Sequence, residues 1–297
     1  LAKELRKDYE YDGVQTCAAD GMCVTACPVL INTGDLVRRL RKENANTVAD
    51  AGWKTAAEHW STVTVAGGKA LSLANAMPAL LPKAATAVAR AVAGTENVPA
   101  YETVLPSGGS KRQPHEDPNA VAVYFPACIG TMFGPAGNGE GVSAAFLELC
   151  GRADIGVRIP AGIEDLCCGT PWKSKGYGKG YAVMTERVLT NLWEATGGGA
   201  LPVVCDAASC TEGLDTMKRL AGESPDYPGL QFIDSVDFIR DSVLPQLTVT
   251  RRLPSMALHP TCSSTQLGAN DALETIARAA AEEVFVPPSW GCCAFAG

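Results

Sequence analysis

The sequence predicts an α+β protein: a small helical region bearing cysteines, followed by α/β units in tandem with short parallel strands. Three observations carry that expectation. From residue 120 onward, short apolar runs alternate with longer helical runs, the pattern of stacked strand and helix layers. The same stretch contains P-x-C-x-x-T-x-x-G twice, within residues 124–134 and 258–268, each time after a strand-like run. Ahead of it, residues 47–96 are Ala-rich with broad helical patterning.

The elements follow in order. Residues 1–46 end in a basic helix over 34–42, with Asp35 near its start and arginines later, as the helix dipole favours. Residues 47–96 predict two or three helices, broken near Gly67-Gly68 and Pro78. Residues 97–118 read as a linker or long surface excursion, because Pro99, Pro106, Pro114 and Pro118 surround Ser107-Gly108-Gly109-Ser110. Residues 119–250 form the first repeat unit. Strands are expected at 120–125, 156–159 and 201–204, and helices at 141–150, 177–195 and 211–220; residues 232–239 fit either. Residues 251–297 hold the second unit, with strands at 255–258 and 284–286 around a helix at 272–283.

Composition narrows the function. Hydrophobic residues make up 46% and charged residues 19%, which belongs to a folded chain rather than a disordered one. Net charge is −7, with no basic block and no basic–aromatic interleaving, so nucleic acid is not an expected partner. The most apolar run, 70–94, is interrupted by Asn75, Pro78, Pro82, Lys83 and Arg90, whereas a spanning helix needs about 20 nearly unbroken apolar residues. No secretory signal is visible. The chain begins at Leu1, and its second repeat ends at Gly297, soon after Cys293; truncation at both ends is the expectation.

The twelve cysteines are too sparse for a disulfide scaffold, and two pairs are vicinal, Cys167-Cys168 and Cys292-Cys293. Thiols grouped at fixed spacings point to metal. Cys17, Cys23 and Cys27-Pro28 keep the C-x2-C-x2-C-x3-C-P spacing of a bacterial ferredoxin, with Asp20 in place of the second cysteine. In two-cluster ferredoxins the cysteine before Pro ligates the other cluster. Cys17 and Cys23, with or without Asp20, would then hold one [4Fe-4S] cluster, and Cys27 a second completed by an upstream motif. Asp20 is either a carboxylate ligand, a turn residue, or the mark of a [3Fe-4S] cluster. A structural zinc site is the alternative, though paired C-x2-C units would suit zinc better.

The series Cys128, Cys167-Cys168-Gly169, Cys205, Cys210 resembles the cysteine-rich CCG domain, which usually occurs in tandem. That domain is found in heterodisulfide reductase, in the iron–sulfur subunit of glycolate oxidase, in anaerobic glycerol-3-phosphate dehydrogenase and in lactate-utilisation proteins. The family's last pair is commonly C-x-x-C, where this chain has Cys205-x4-Cys210. The second copy supplies Cys262, Cys292 and Cys293, followed by Ala294 rather than Gly. A noncubane cluster, a zinc ion and redox-active thiols all remain open for these domains. Residues 9–13, 16–23, 26–28 and 31–38 look like the C-terminal half of bacterial FAD-linked D-lactate or D-2-hydroxyacid dehydrogenases. The resemblance implies an upstream FAD domain and first ferredoxin motif. It also implies electron transfer from FAD to a quinone or cytochrome; the expected site is cytoplasmic, either free or peripheral on the inner membrane, with the Ala-rich helices packed against the ferredoxin-like region or another subunit rather than on a membrane face.

Two rival functions stand beside that one: a thiol–disulfide reductase of the heterodisulfide type, and a zinc-stabilised docking module without catalysis. Other candidates are weaker. Cys150 reads as a buried thiol. His259 lies near Cys262, but its repeat counterpart is Phe125; His59 and His115 have no partner pattern. The Gly-rich run 134–141 reads as a helix-entry turn beside Cys128. Trp172 and Trp290 either shield a cluster or pack a core.

Overall fold

The computed structural model describes residues 2–95, 98–221, 227–288 and 290. Helix α1 (Ala2–Tyr9) runs into a π-helical turn, Glu10–Gln15, and a loop leads to the short α2 (Cys23–Ala26). Side-chain caps start the next two helices. Asn32 accepts from the Gly34 N–H ahead of α3 (Thr33–Glu43), and Asn46 accepts from Val48 and Ala49 ahead of α4 (Thr47–Glu58). Asp35 in the first turn of α3 and Arg41 and Lys42 in its last suit the helix dipole.

Helices α5 (Trp60–Ala76) and α6 (Leu80–Ala93) complete the helical region. The breaks fall at His59 and at residues 77–79, so the expected break at Gly67-Gly68 is not there. The reason is packing. A Cβ on Gly68 would stand 2.6 Å from the Thr131 carbonyl oxygen, so this glycine lets α5 lie against the segment after Cys128 without ending the helix.

Four strands form one parallel sheet: β1 (Ala122–Phe125), β2 (Val157–Arg158), β3 (Val203–Cys205) and β4 (Phe232–Asp234), in the order β2-β1-β3-β4. Helices α7 (Ile129–Met132), α8 (Val142–Arg152), α9 (Thr170–Lys175), α10 (Gly178–Ala195) and α11 (Ala208–Ala221) fill the crossovers. Every residue of β1 and β3 is buried, the signature of a parallel sheet covered on both faces. Residues 232–239 are strand and helix in succession. Asp234 ends β4, and its side chain accepts from the Val236 N–H to start α12 (Ser235–Phe238).

A second, two-stranded parallel sheet pairs β5 (Leu253–Ala257) with β6 (Ala281–Phe285) around α13 (Cys262–Gln266) and α14 (Asn270–Ala280). The helix expected to reach residue 283 stops at Ala280, where extended backbone at Ala281 begins β6 directly. The molecule is thus mixed α and β with short parallel strands, as the sequence predicts. Residues 98–118 lie along the first sheet domain: the Gly134 N–H donates to Ser107, the Gly109 N–H to Thr131, and His115 bridges Ile159. Among the described residues no helix is long and apolar enough to cross a membrane.

Candidate metal centre

Chain order and sheet order diverge between β1 and β3. From β1 the chain goes to β2 on one side, then returns to β3 on the other. A crevice opens outside the carboxyl ends of strands at such a switch point. Phe125, the last residue of β1, pairs in register with Cys205, the last of β3. Cys128 follows β1 by one tight turn, so both cysteines stand at the carboxyl ends of these neighbouring strands. Asp206 ties the two strand ends together: its carboxylate accepts from the Ala127 N–H at 2.8 Å and from the Tyr124 hydroxyl at 2.6 Å.

The vicinal pair arrives from the other side, after the 3-10 turn Ile163–Asp165. Gly169 follows it at φ +77°, and a Cβ there would meet Met217 at 2.3 Å and Tyr181 at 2.7 Å. Only glycine lets the chain turn from Cys168 into α9 at this point. Cys210 lies in the first turn of α11.

Five thiols of the first repeat unit converge: Cys128, Cys167, Cys168, Cys205 and Cys210 are all buried. The Cys128 and Cys167 sulfurs are 3.5 Å apart. Cys168 lies close enough to Cys167 and to Cys210 for each to shift its thiol, so four sulfurs follow one another in a chain. Thr170 Oγ1 lies 3.3 Å from Cys168. The thiol shifts alternate in direction along the chain. Cys168 is held well below the usual thiol range by its contacts with Cys167 and Cys210, and Cys128 is lowered by Cys167, with Arg112 and the Trp60 indole assisting. Cys167 is pushed up by burial, Cys210 by the neighbouring Cys168 and then by burial, and Cys205 by burial. Cys128 and Cys168 are thus shifted towards ionisation, and Cys167 and Cys210 away from it.

Among the described residues, no three His, Cys, Asp or Glu side chains are set to hold a metal ion as they stand. The sulfurs are packed as thiols in contact. The donor chemistry nevertheless fits a soft metal: buried thiols converge, two of them are inclined to ionise, and the buried Arg112 cation stands beside them. On that ground Cys128, Cys167, Cys168 and Cys210 are the candidate ligands, and Cys205 stands beside them without joining the chain.

The N-terminal motif is separate. Cys17, Cys23 and Cys27 are half-buried. The Ala19 N–H donates to the Cys17 sulfur at 3.3 Å, and the Thr33 hydroxyl donates to Cys23 at 3.2 Å, which lowers that thiol. Asp20 accepts from the Met22 N–H through Oδ1 as a turn residue would, while its Oδ2 is buried without a partner. Gln266 of the second unit donates to the Asp20 carbonyl. Cys262 is half-buried at the start of α13, and its repeat partners Cys292 and Cys293 lie outside the described residues. His259 is exposed and packs edge-on to Trp290 at 6.1 Å. Cys150 is a buried thiol that burial pushes up to about 11.

Three residues that sequence reasoning missed hold the site together. Arg41 on α3 donates to the carbonyls of Val14, Cys17 and Ser174 at 2.7–2.8 Å, so it fastens the Cys17 loop to α9, the helix after Cys168. Arg112, from the segment read as a linker, donates to Pro126 and Leu166 at 2.8 and 2.7 Å, the carbonyls just before the Cys128 turn and the vicinal pair. Trp60 packs on Trp172 at 4.8 Å, and Trp172, fully buried, donates its indole N–H to the Trp53 carbonyl. Comparison of the chain with protein-family models, with curated proteins and with solved structures gives no match.

Proposed function

We propose that this chain is the iron–sulfur electron-transfer portion of a flavin-dependent D-2-hydroxyacid dehydrogenase, of the D-lactate-oxidising kind. The observation that carries the reading is the convergence of Cys128, Cys167, Cys168 and Cys210 in one buried site, with Arg41 fastening the Cys17 loop to the adjoining helix. Iron–sulfur clusters bound at these cysteines supply one-electron steps. The protein's part is to exclude water from the thiols, to hold Cys128 and Cys168 ready to ionise, and to keep the two cysteine regions in contact. The electron source is an FAD-bearing domain or subunit, and the acceptor a quinone or cytochrome. Iron and acid-labile sulfide measured on anaerobically purified protein test this, and a folded, iron-free protein would sink it.

The sulfur contact of 3.5 Å between Cys128 and Cys167 favours a second reading, a thiol–disulfide reductase in which those thiols are themselves the reactants. Turnover of a disulfide substrate by metal-free protein would select it.

A further inference from the structure

Two buried donors beside the sulfur chain lack acceptors, and both come from outside the repeated unit. Trp60 is 5% exposed, and its indole N–H has no nitrogen or oxygen acceptor. It opens α5, the helix packed against the Cys128 segment, and it stands next to the Cys128 sulfur. Arg112 is 8% exposed; two of its nitrogens bind carbonyls, while its Nε–H is buried without an acceptor. None of the described ion pairs includes it; Lys111 pairs with Glu164 instead.

Burying an N–H without a partner is unfavourable, and burying a cation more so. A phenyl ring at the Trp60 position would have no N–H to satisfy. Both costs are offset if the neighbouring sulfur carries negative charge, as a metal-bound thiolate does. Hydrogen bonds and positive charge near ligating sulfurs stabilise the reduced, more negative state.

We propose that Trp60 and Arg112 are positioning residues that raise the reduction potential of a metal centre held by Cys128, Cys167, Cys168 and Cys210. The inference rests on the iron–sulfur reading above. The redox step is the gain of one electron by the centre, which leaves it one unit more negative beside the indole N–H and the guanidinium.

The test uses the full chain, reconstituted anaerobically with ferrous iron and sulfide. It is titrated with dithionite and ferricyanide through mediators, and paramagnetic signals are followed. The signal absent from Cys128→Ser belongs to this centre and not to the Cys17 loop. Trp60→Phe removes the indole N–H together with part of the ring, and its midpoint should shift to more negative potential with iron content unchanged. Arg112→Gln should shift the same way and Arg112→Lys less, the retained charge rescuing part of the effect; should Arg112→Gln fail to fold, Trp60→Phe and Arg112→Lys carry the test. Unchanged midpoints in Trp60→Phe and Arg112→Lys with normal iron uptake overturn the inference and leave the iron–sulfur reading standing. Wild-type protein that takes up no iron overturns both.

Discussion

Gly169 shows how one position ties local backbone to the site. It sits at φ +77° and has side chains on all the space a Cβ would need, whereas Gly137, at φ +58°, faces open space. Gly169→Ala should destabilise by roughly 2–4 kcal/mol, backbone strain and overpacking together, and Gly137→Ala by about 1 kcal/mol. Urea unfolding midpoints of the two variants check this; equal losses would mean that the Met217 and Tyr181 contacts yield. Asp234 offers a second test, at a helix start. Burial raises its carboxyl above 3.8, while the Val236 N–H and the Thr211 hydroxyl partly oppose the rise. A raised carboxyl binds its proton more tightly in the folded state, so its contribution is greatest in acid and is lost as pH rises above 3.8 through the folded value. Asn keeps the capping oxygen but does not titrate. Stability measured against pH should therefore fall less steeply over that window in Asp234→Asn than in the wild type; parallel curves would contradict the raised value.

Between elements, the arginines do what the helices alone cannot. The N-terminal region touches the first sheet domain through α3 on α9, and Arg41 spans the junction with three carbonyl acceptors, two from residues 14–17 and one from α9. Burial lowers its guanidinium from the usual arginine range, and the three carbonyls replace the water it gives up. Arg41→Ala leaves the acceptors without a donor and should weaken the docking by roughly 2–4 kcal/mol. Hydrogen exchange should then speed up across residues 13–43 while β1 and β3 keep their protection. Loss of protection in the strands as well would show that the two regions unfold as one unit. Lys at position 41 can reach one or two of the three acceptors, so Arg41→Lys belongs between the wild type and Arg41→Ala. The same logic explains why Gly68 sits inside α5: helix contact with the Cys128 segment requires close backbone approach, and a mid-helix glycine allows it.

Across the whole molecule, what the sequence made legible is what local periodicity and spacing encode. The buried strands β1 and β3, the long helices and the five cysteines of the first unit lie in short, patterned windows, so their convergence at the ends of parallel strands follows from strand order. Arg41, Arg112 and Trp60 were not legible: an arginine that bridges carbonyls across the fold looks, in sequence, like one solvated on a helix face. Asp206 was hidden for the same reason, since its partners Tyr124 and Ala127 come near only through the β1–β3 pairing. These contacts give a prediction for the molecule as a unit. The thiols already face one another in the folded state and are scattered in the unfolded chain, so a metal that binds them binds the folded state preferentially. Binding at about 100 times the dissociation constant adds roughly 2.7 kcal/mol, which for a domain of this size raises Tm by roughly 5–10 °C. Chelator-treated and anaerobically reconstituted protein should differ by that much in a thermal melt. Cys168→Ser, which removes the thiol most inclined to ionise, should abolish most of the rise while leaving the chelator-treated melting point close to that of the wild type. An equal rise in Cys168→Ser would place the stabilising metal at the Cys17 loop instead, because Cys17, Cys23 and Cys27 are untouched by that substitution.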